Sequence, residues 1–183
     1  MTVTRQRIAG DLERSFAEQG FAKQGVEALR DGADVSLRTL YKYFPSREAM
    51  IVGALEHRDR SYFEWLAGGP EEGVAHVLHP LVRLGDWLAE VANTGCLFMN
   101  ALAEYPDSEA IAAVVTAHKA RLADDFRGRL RKVAPGRATG ELAETLFLLH
   151  EGMTQSARLQ GRQKATDAAL RAARAALSAE DIT

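Results

Sequence analysis

The 183-residue chain has a single cysteine, Cys96, so no disulfide can close within it, and one thiol fits a reducing cytosol. Nowhere does it approach the roughly 18 consecutive apolar residues of a membrane-spanning helix. Its first seven residues, MTVTRQR, have no apolar stretch behind them that resembles a signal peptide. The expected location is therefore the cytoplasm, with no membrane partner. A Gly-rich phosphate loop and a Gly-flanked serine are both missing, which argues against an enzyme. No catalytic residue, cofactor or metal is expected. His76 and His79 lie three apart and share a helical face, yet no Cys or carboxylate completes a ligand set around them. A strong excess of charge is lacking too. The net charge is −2, and residues 1–66 hold ten Lys/Arg against ten Asp/Glu. Any contact with nucleic acid must then be narrow and well aimed.

What is present is helical pattern and no strand pattern. Hydrophobic residues make up 46% and charged residues 26%, enough apolar material for a real core. In residues 4–19, Ile8, Leu12 and Phe16 recur at four-residue spacing, and Gly20 can end the helix. Residues 25–33 form a second, shorter helix that buries Val26, Leu29 and Ala33, and Asp34 stands in the turn behind it. A third short helix starts at Ser36, whose hydroxyl can accept from the first-turn amides, and ends by Phe44 because Pro45 cannot continue it. Leu40 and Phe44 share its inner face, while Arg38, Thr39, Tyr41, Lys42 and Tyr43 occupy the outer one. Residues 36–47 contain Arg38, Lys42 and Arg47 and no acid. Two short helices joined by a turn of about four residues, the second bearing polar donors, make a helix-turn-helix pattern suited to phosphates and base edges.

Ser46 caps a longer helix over residues 47–65, broken by Ala67-Gly68-Gly69-Pro70. Further helices are expected over 72–91, with a kink or split at Pro80, then from a Thr94 cap through Ala103, over 108–133, over 139–160 and over 165–177.

Ser15-Phe16-Ala17-Glu18-Gln19-Gly20-Phe21, then Ala33-Asp34-Val35-Ser36, then Thr39-Leu40-Tyr41-Lys42-Tyr43-Phe44-Pro45-Ser46-Arg47-Glu48-Ala49 resemble the DNA-binding domain of the TetR family of bacterial transcriptional regulators. The likeness spans residues 4–55. Beyond it the chain is similar by length and helix order, and the segment 95–101 looks like one common in a branch of that family. The resemblance implies an all-α fold of about nine helices. Residues 1–46 would be a helix-turn-helix DNA-binding domain, and residues 47–183 a regulatory and dimerisation domain. It also implies a homodimer that reads two-fold related half-sites of a double-stranded operator, and a small-molecule effector that weakens DNA binding.

On this reading Leu37, Arg38 and Tyr43 face bases, Tyr41 and Lys42 face phosphates, and Thr39 serves either. Arg5, Arg7, Lys23, Gln24 and Arg47 add backbone contacts from neighbouring helix ends, although plain solvated charge competes for each. Two departures from the family pattern stand out: Asp34 replaces a common Gly, and Leu37 and Arg38 stand where small or polar residues are frequent. In the body Trp87, Phe98, Met99, Leu102, Tyr105, His118, Phe126, Phe147, His150 and Met153 form a candidate lining for an apolar effector, with ordinary core packing as the competing account of each. Gly152, Ser156, Ala157, Ala168, Ala172 and Ala176 are small, which suits close helix approach across a dimer. The expected function is a dimeric repressor released by a small, largely apolar effector. The alternatives are a regulator of the same fold without an effector or acting as an activator, and a redox sensor built on Cys96, whose simpler reading is a small buried hydrophobe.

Overall fold

The computed structural model describes residues 3–91 and 95–182. Among them are nine helices and no strand: α1 (Val3–Gln19), α2 (Val26–Gly32), α3 (Leu37–Tyr43), α4 (Arg47–Trp65), α5 (Gly73–Glu90), α6 (Leu97–Glu104), α7 (Glu109–Val133), α8 (Gly140–Gln160) and α9 (Arg162–Ala179). The all-α expectation and the order of helices hold. The proposed cap Thr94 lies outside the described residues, and Cys96 occupies the N-cap position of α6.

The chain divides into two compact units, one of residues 1–63 and 96–118, the other of residues 64–95 and 119–183. In the first, α1 buries Ile8, Ala9, Leu12 and Phe16 against Leu29 of α2, Leu40 of α3 and Met50, Ile51, Ala54 and Leu55 of α4. The same core takes in Leu97, Phe98 and Ala101 of α6 and Ile111 and Val115 of α7. Cys96, 9% exposed, belongs to this core. The alternation of these apolar positions at three and four residues is what gives each helix its single buried stripe.

In the second unit α5 contributes Val77, Leu78, Leu81, Leu84 and Leu88, α7 contributes Leu122, Phe126 and Leu130, and α8 and α9 pack on each other and on α5. Of the kink or split expected at Pro80, the split does not occur, since α5 runs from Gly73 to Glu90 with Pro80 inside it. Pro80 has no N–H to give the carbonyl of His76, four residues back. Arg129 of α7 supplies the donor instead, its Nη1 lying 3.0 Å from that oxygen. The last helix begins at Arg162, three residues before the sequence pattern suggested. Gly161 alone separates it from α8, at φ +88°, a backbone conformation that favours glycine.

Candidate nucleic-acid interface

Local chemistry fixes α2, the turn and α3. The Asp34 amide bonds the Asp31 carbonyl at 3.1 Å and the Val35 amide bonds the Arg30 carbonyl at 3.3 Å, closing α2 in a Schellman motif. That closure requires a left-handed residue, and Asp34 has φ +47°. Asp adopts this conformation more readily than most residues, so the motif survives without glycine. Ser36 then caps α3 as expected, its Oγ accepting from the Thr39 amide at 3.1 Å. The Thr39 hydroxyl lies 2.9 Å from the same oxygen. At the other end Phe44 leaves the helix with φ −136° and ψ 89°, the extended backbone that a following proline requires. Ser46 caps α4 in turn, accepting from the Ala49 amide at 3.0 Å.

Leu40 and Phe44 are fully buried. At about 1.5–3 kcal/mol for each such side chain, these two anchors set the rotation of α3 about its own axis. The outward face that results carries Arg38, Tyr41 and Lys42 exposed, with Leu37, Thr39 and Tyr43 half-buried beside them. Lys42 lies 5.5 Å from the centroid of the Tyr43 ring and sits in the last turn, where a cation suits the helix dipole. The face has two cations, phenol and hydroxyl groups, and no carboxylate of its own.

The neighbouring residues separate into two groups. Lys23 is exposed on the loop between α1 and α2. Arg5 lies 3.6 Å from Glu56 and 5.1 Å from the Phe44 ring centroid, and Arg7 bonds Asp11 at 2.8 Å and the Ala33 carbonyl at 3.0 Å. Gln24 and Arg47 point into the protein. Gln24 is 3% exposed, with its Nε2 3.4 Å from the Ser15 carbonyl. Arg47 donates to the carbonyls of Phe21 and Gln24 and, at 3.1 Å, to the Tyr105 hydroxyl. No linear pattern announces this, because its partners stand 23, 26 and 58 residues away.

The ten effector-lining candidates fall in both units. Phe98, Met99, Leu102, Tyr105 and His118 belong to the first, and Trp87, Phe126, Phe147, His150 and Met153 to the second. His118 is buried. Its Nδ1 lies 2.8 Å from Asp59 and its ring stacks on Phe98 at 3.7 Å, pairings with no signal in the linear pattern. Met99 is exposed, and Phe147 is half-buried. Trp87 meets Trp65 edge to face at 5.7 Å, and Phe126 meets His150 in the same way at 6.3 Å. Among the dimer candidates, Gly152, Ala168 and Ala172 are exposed, Ser156 and Ala176 are half-buried, and Ala157 is buried. Among the described residues no helix is long and apolar enough to cross a membrane, and no group of three or more His, Cys, Asp or Glu is arranged to hold a metal ion.

Residues 12–54 match the family model of bacterial regulatory proteins, tetR family. A search of the curated proteins finds no match. Several solved structures share the fold along nearly the whole chain. A TetR-family transcriptional regulator from Streptomyces coelicolor superposes with a TM-score of 0.84 at 23% identity, covering 98% of this chain and 95% of that one. The reduced form of NemR from E. coli gives 0.74 at 22% identity, covering 93% and 95%. A cysteine mutant of the TetR-family regulator CifR, complexed with 26-base-pair operator DNA, gives 0.73 at 24% identity, covering 93% and 96%. The matched segment contains the turn at Asp34, the capped helix α3 and the start of α4 described above, so residues 12–54 carry the segment described by the tetR-family model and the chain as a whole has the fold of TetR-family transcriptional regulators.

Proposed function

We propose that the protein is a dimeric transcriptional repressor, with residues 1–46 as the DNA-reading domain and residues 47–183 as the regulatory and dimerising body. The observation that carries this reading is the outer face of α3, where Arg38, Tyr41 and Lys42 are exposed on a helix held by two buried anchors. An exposed face of this kind fits the major groove, with Leu37, Arg38 and Tyr43 toward base edges and Tyr41 and Lys42 toward phosphates. The DNA-bound state of CifR, a regulator of the same fold, supports the choice of duplex DNA as partner.

A groove of about 320 Å³ on α8 and α9, lined by Leu148, Leu149, Gly152, Met153, Ala165, Ala168 and Ala172, supports the homodimer. Leu148 is 61% exposed there, and a second copy of the chain would cover it. The effector is a small, largely apolar molecule, a choice supported by the aromatic and Met side chains of the body, and it acts by lowering affinity for the operator. The test is selection of duplexes from a random pool by the purified protein, followed by gel shift with and without apolar and aromatic compounds. A selected sequence with two-fold related halves is the expected result. No enrichment of any sequence would overturn the reading.

A further inference from the structure

Arg47, the first residue of α4, is where the reading head meets the turn between α6 and α7. Its Nε donates to the Tyr105 hydroxyl at 3.1 Å, its Nη1 to the Gln24 carbonyl and its Nη2 to the Phe21 carbonyl. Three of the five guanidinium N–H donors are thus committed inside the protein. The plane also lies 5.9 Å from the Phe16 ring centroid. The two carbonyls belong to the loop between α1 and α2, and the same loop is pinned twice more. Phe21 stacks on Phe16 at 4.9 Å and meets Tyr105 edge-on at 6.4 Å, and Gln24 reaches back to Ser15. Between the pinned residues the loop exposes Ala22 and Lys23. One residue after Arg47, Glu48 accepts from the Ser108 hydroxyl at 2.5 Å, and that hydroxyl also caps α7 by accepting from the Ile111 amide at 3.1 Å.

We propose that Arg47 is a positioning residue for operator binding rather than a phosphate ligand: held by the Tyr105 hydroxyl, it fixes the α1–α2 loop and so the place of the exposed Lys23. This rests on the reading of the protein as a DNA-binding regulator. A cation at a helix start beside the recognition helix is otherwise well placed for a phosphate, and that is the role the sequence suggests. The geometry sends it the other way, because a guanidinium engaged by two loop carbonyls and a phenol has its fork turned toward the protein. Loss of the Tyr105 hydroxyl, on a residue outside the reading domain, then weakens DNA binding by loosening Arg47.

The experiment uses the full-length chain and the duplex that it selects from a random pool. Tyr105→Phe, which keeps the ring on Phe21, Arg47→Gln and the double variant are titrated over a range of salt, and amide exchange is followed over residues 20–25. Each single variant is expected to weaken binding roughly three- to tenfold, the size of one or two hydrogen bonds. The double variant should be no weaker than the weaker single one, the slope of log affinity against log salt should stay unchanged, and loop amides should exchange faster in all three. A slope flattened by about 0.9 in Arg47→Gln alone would make Arg47 a phosphate ligand and overturn the proposal. Wild-type affinity and exchange in Tyr105→Phe would overturn it as well, even if Arg47→Gln failed to fold. If the wild type selected no duplex, the regulator reading would fall, and the exchange rates of Tyr105→Phe would still decide whether the clamp exists.

Discussion

Arg129 and Pro80 are coupled through a third group, the carbonyl of His76. Pro80 cannot bond that oxygen from within α5, and Arg129 Nη1 does so from α7 at 3.0 Å while its Nε holds Asp125 at 2.7 Å. A half-buried carbonyl left without a donor costs about 1–3 kcal/mol. Arg129→Met should therefore lower stability by about that amount in urea unfolding. In a Pro80→Ala background the helical amide returns and serves the oxygen itself, so the same substitution should cost clearly less. Equal costs in the two backgrounds would show that the bond contributes nothing.

Phe44 ends α3 with its ring packed against the backbone of Gly53 on α4. A Cβ added at Gly53 would run into that ring, and Phe44 is fully buried. Gly53→Ala should destabilise the protein by about 1–3 kcal/mol despite the better helix propensity of alanine. Phe44→Leu in addition should recover part of the loss. A thermal melt in which Gly53→Ala matches or exceeds the wild type would show that the ring moves aside freely.

The parts of this molecule that were legible in its sequence are those written in neighbouring residues. Ser36, Pro45 and the pair Leu40 and Phe44 fix the ends and rotation of α3 within ten positions, and all of them act in the structure as their chemistry implies. Asp34 likewise adopts the left-handed turn that its side chain tolerates. What could not be read depends on partners far along the chain. Pro80 signals a break only until Arg129, 53 residues from His76, provides the missing donor. Arg47 and Gln24 look like surface groups for DNA because nothing near them in sequence shows the carbonyls and the phenol that they meet. His118 had no visible partner until the fold brought Asp59, 59 residues away, to its ring nitrogen.

Two groups in the second unit should give the stability curve two separate acid limbs. His79 is held below its ordinary 6.5 by burial first and by the charge of Arg129 next, with Arg83 adding to these, while a hydrogen bond to the Leu66 carbonyl and the charge of Asp125 oppose them. Below pH 6.5 the unfolded chain binds a proton at this position that the folded chain resists, so stability falls as the pH drops from 6.5 toward the lower folded value. Burial pushes the Glu151 carboxyl up. The ring nitrogen of His150, 3.5 Å away, and the ammonium of Lys119 at 2.7 Å outweigh it and bring the carboxyl from 4.5 down to about 2. Its contribution is complete above 4.5 and is lost as the pH falls toward about 2. Glu151→Gln should flatten the lower limb and leave the upper one, and Arg129→Met should shorten the upper limb. Denaturant unfolding at a series of pH values separates them, and an unchanged lower limb in Glu151→Gln would remove Glu151 as its source.

Gly152 tests the dimer with little disturbance to the monomer. A Cβ added there meets nothing within 4 Å, so the helix accepts a side chain without a clash. Gly152→Glu should leave the fold intact by circular dichroism and place a carboxylate in the groove beside Leu148 and Ala168, where a second copy would have to bury it unpaired. Sedimentation at micromolar concentration should then show a dimer for the wild type and a monomer for the variant. A wild type that sediments as a monomer would count against the dimer itself, and a variant that stays dimeric would move the interface away from this groove.

Lys42 and Arg38 stand four residues apart on the exposed face of α3, and their proposed roles differ in a measurable way. A lysine on a phosphate contributes the same energy whatever the base sequence, and its loss releases one fewer counterion on binding. Lys42→Ala should thus weaken binding by a similar factor across all operator variants and reduce the salt slope by about 0.9. An arginine at a base edge discriminates, at about 1–3 kcal/mol for a well-paired guanine. Arg38→Ala should compress the affinity differences among operator variants at one position of each half-site, with a smaller effect on unrelated duplexes. Titrations of both variants against a panel of singly altered operators, each at several salt concentrations, distinguish the two patterns. If Lys42→Ala kept the wild-type slope while changing the order of preferred sequences, Lys42 would be the base reader, and the way α3 sits in the groove would have to be turned to bring it there.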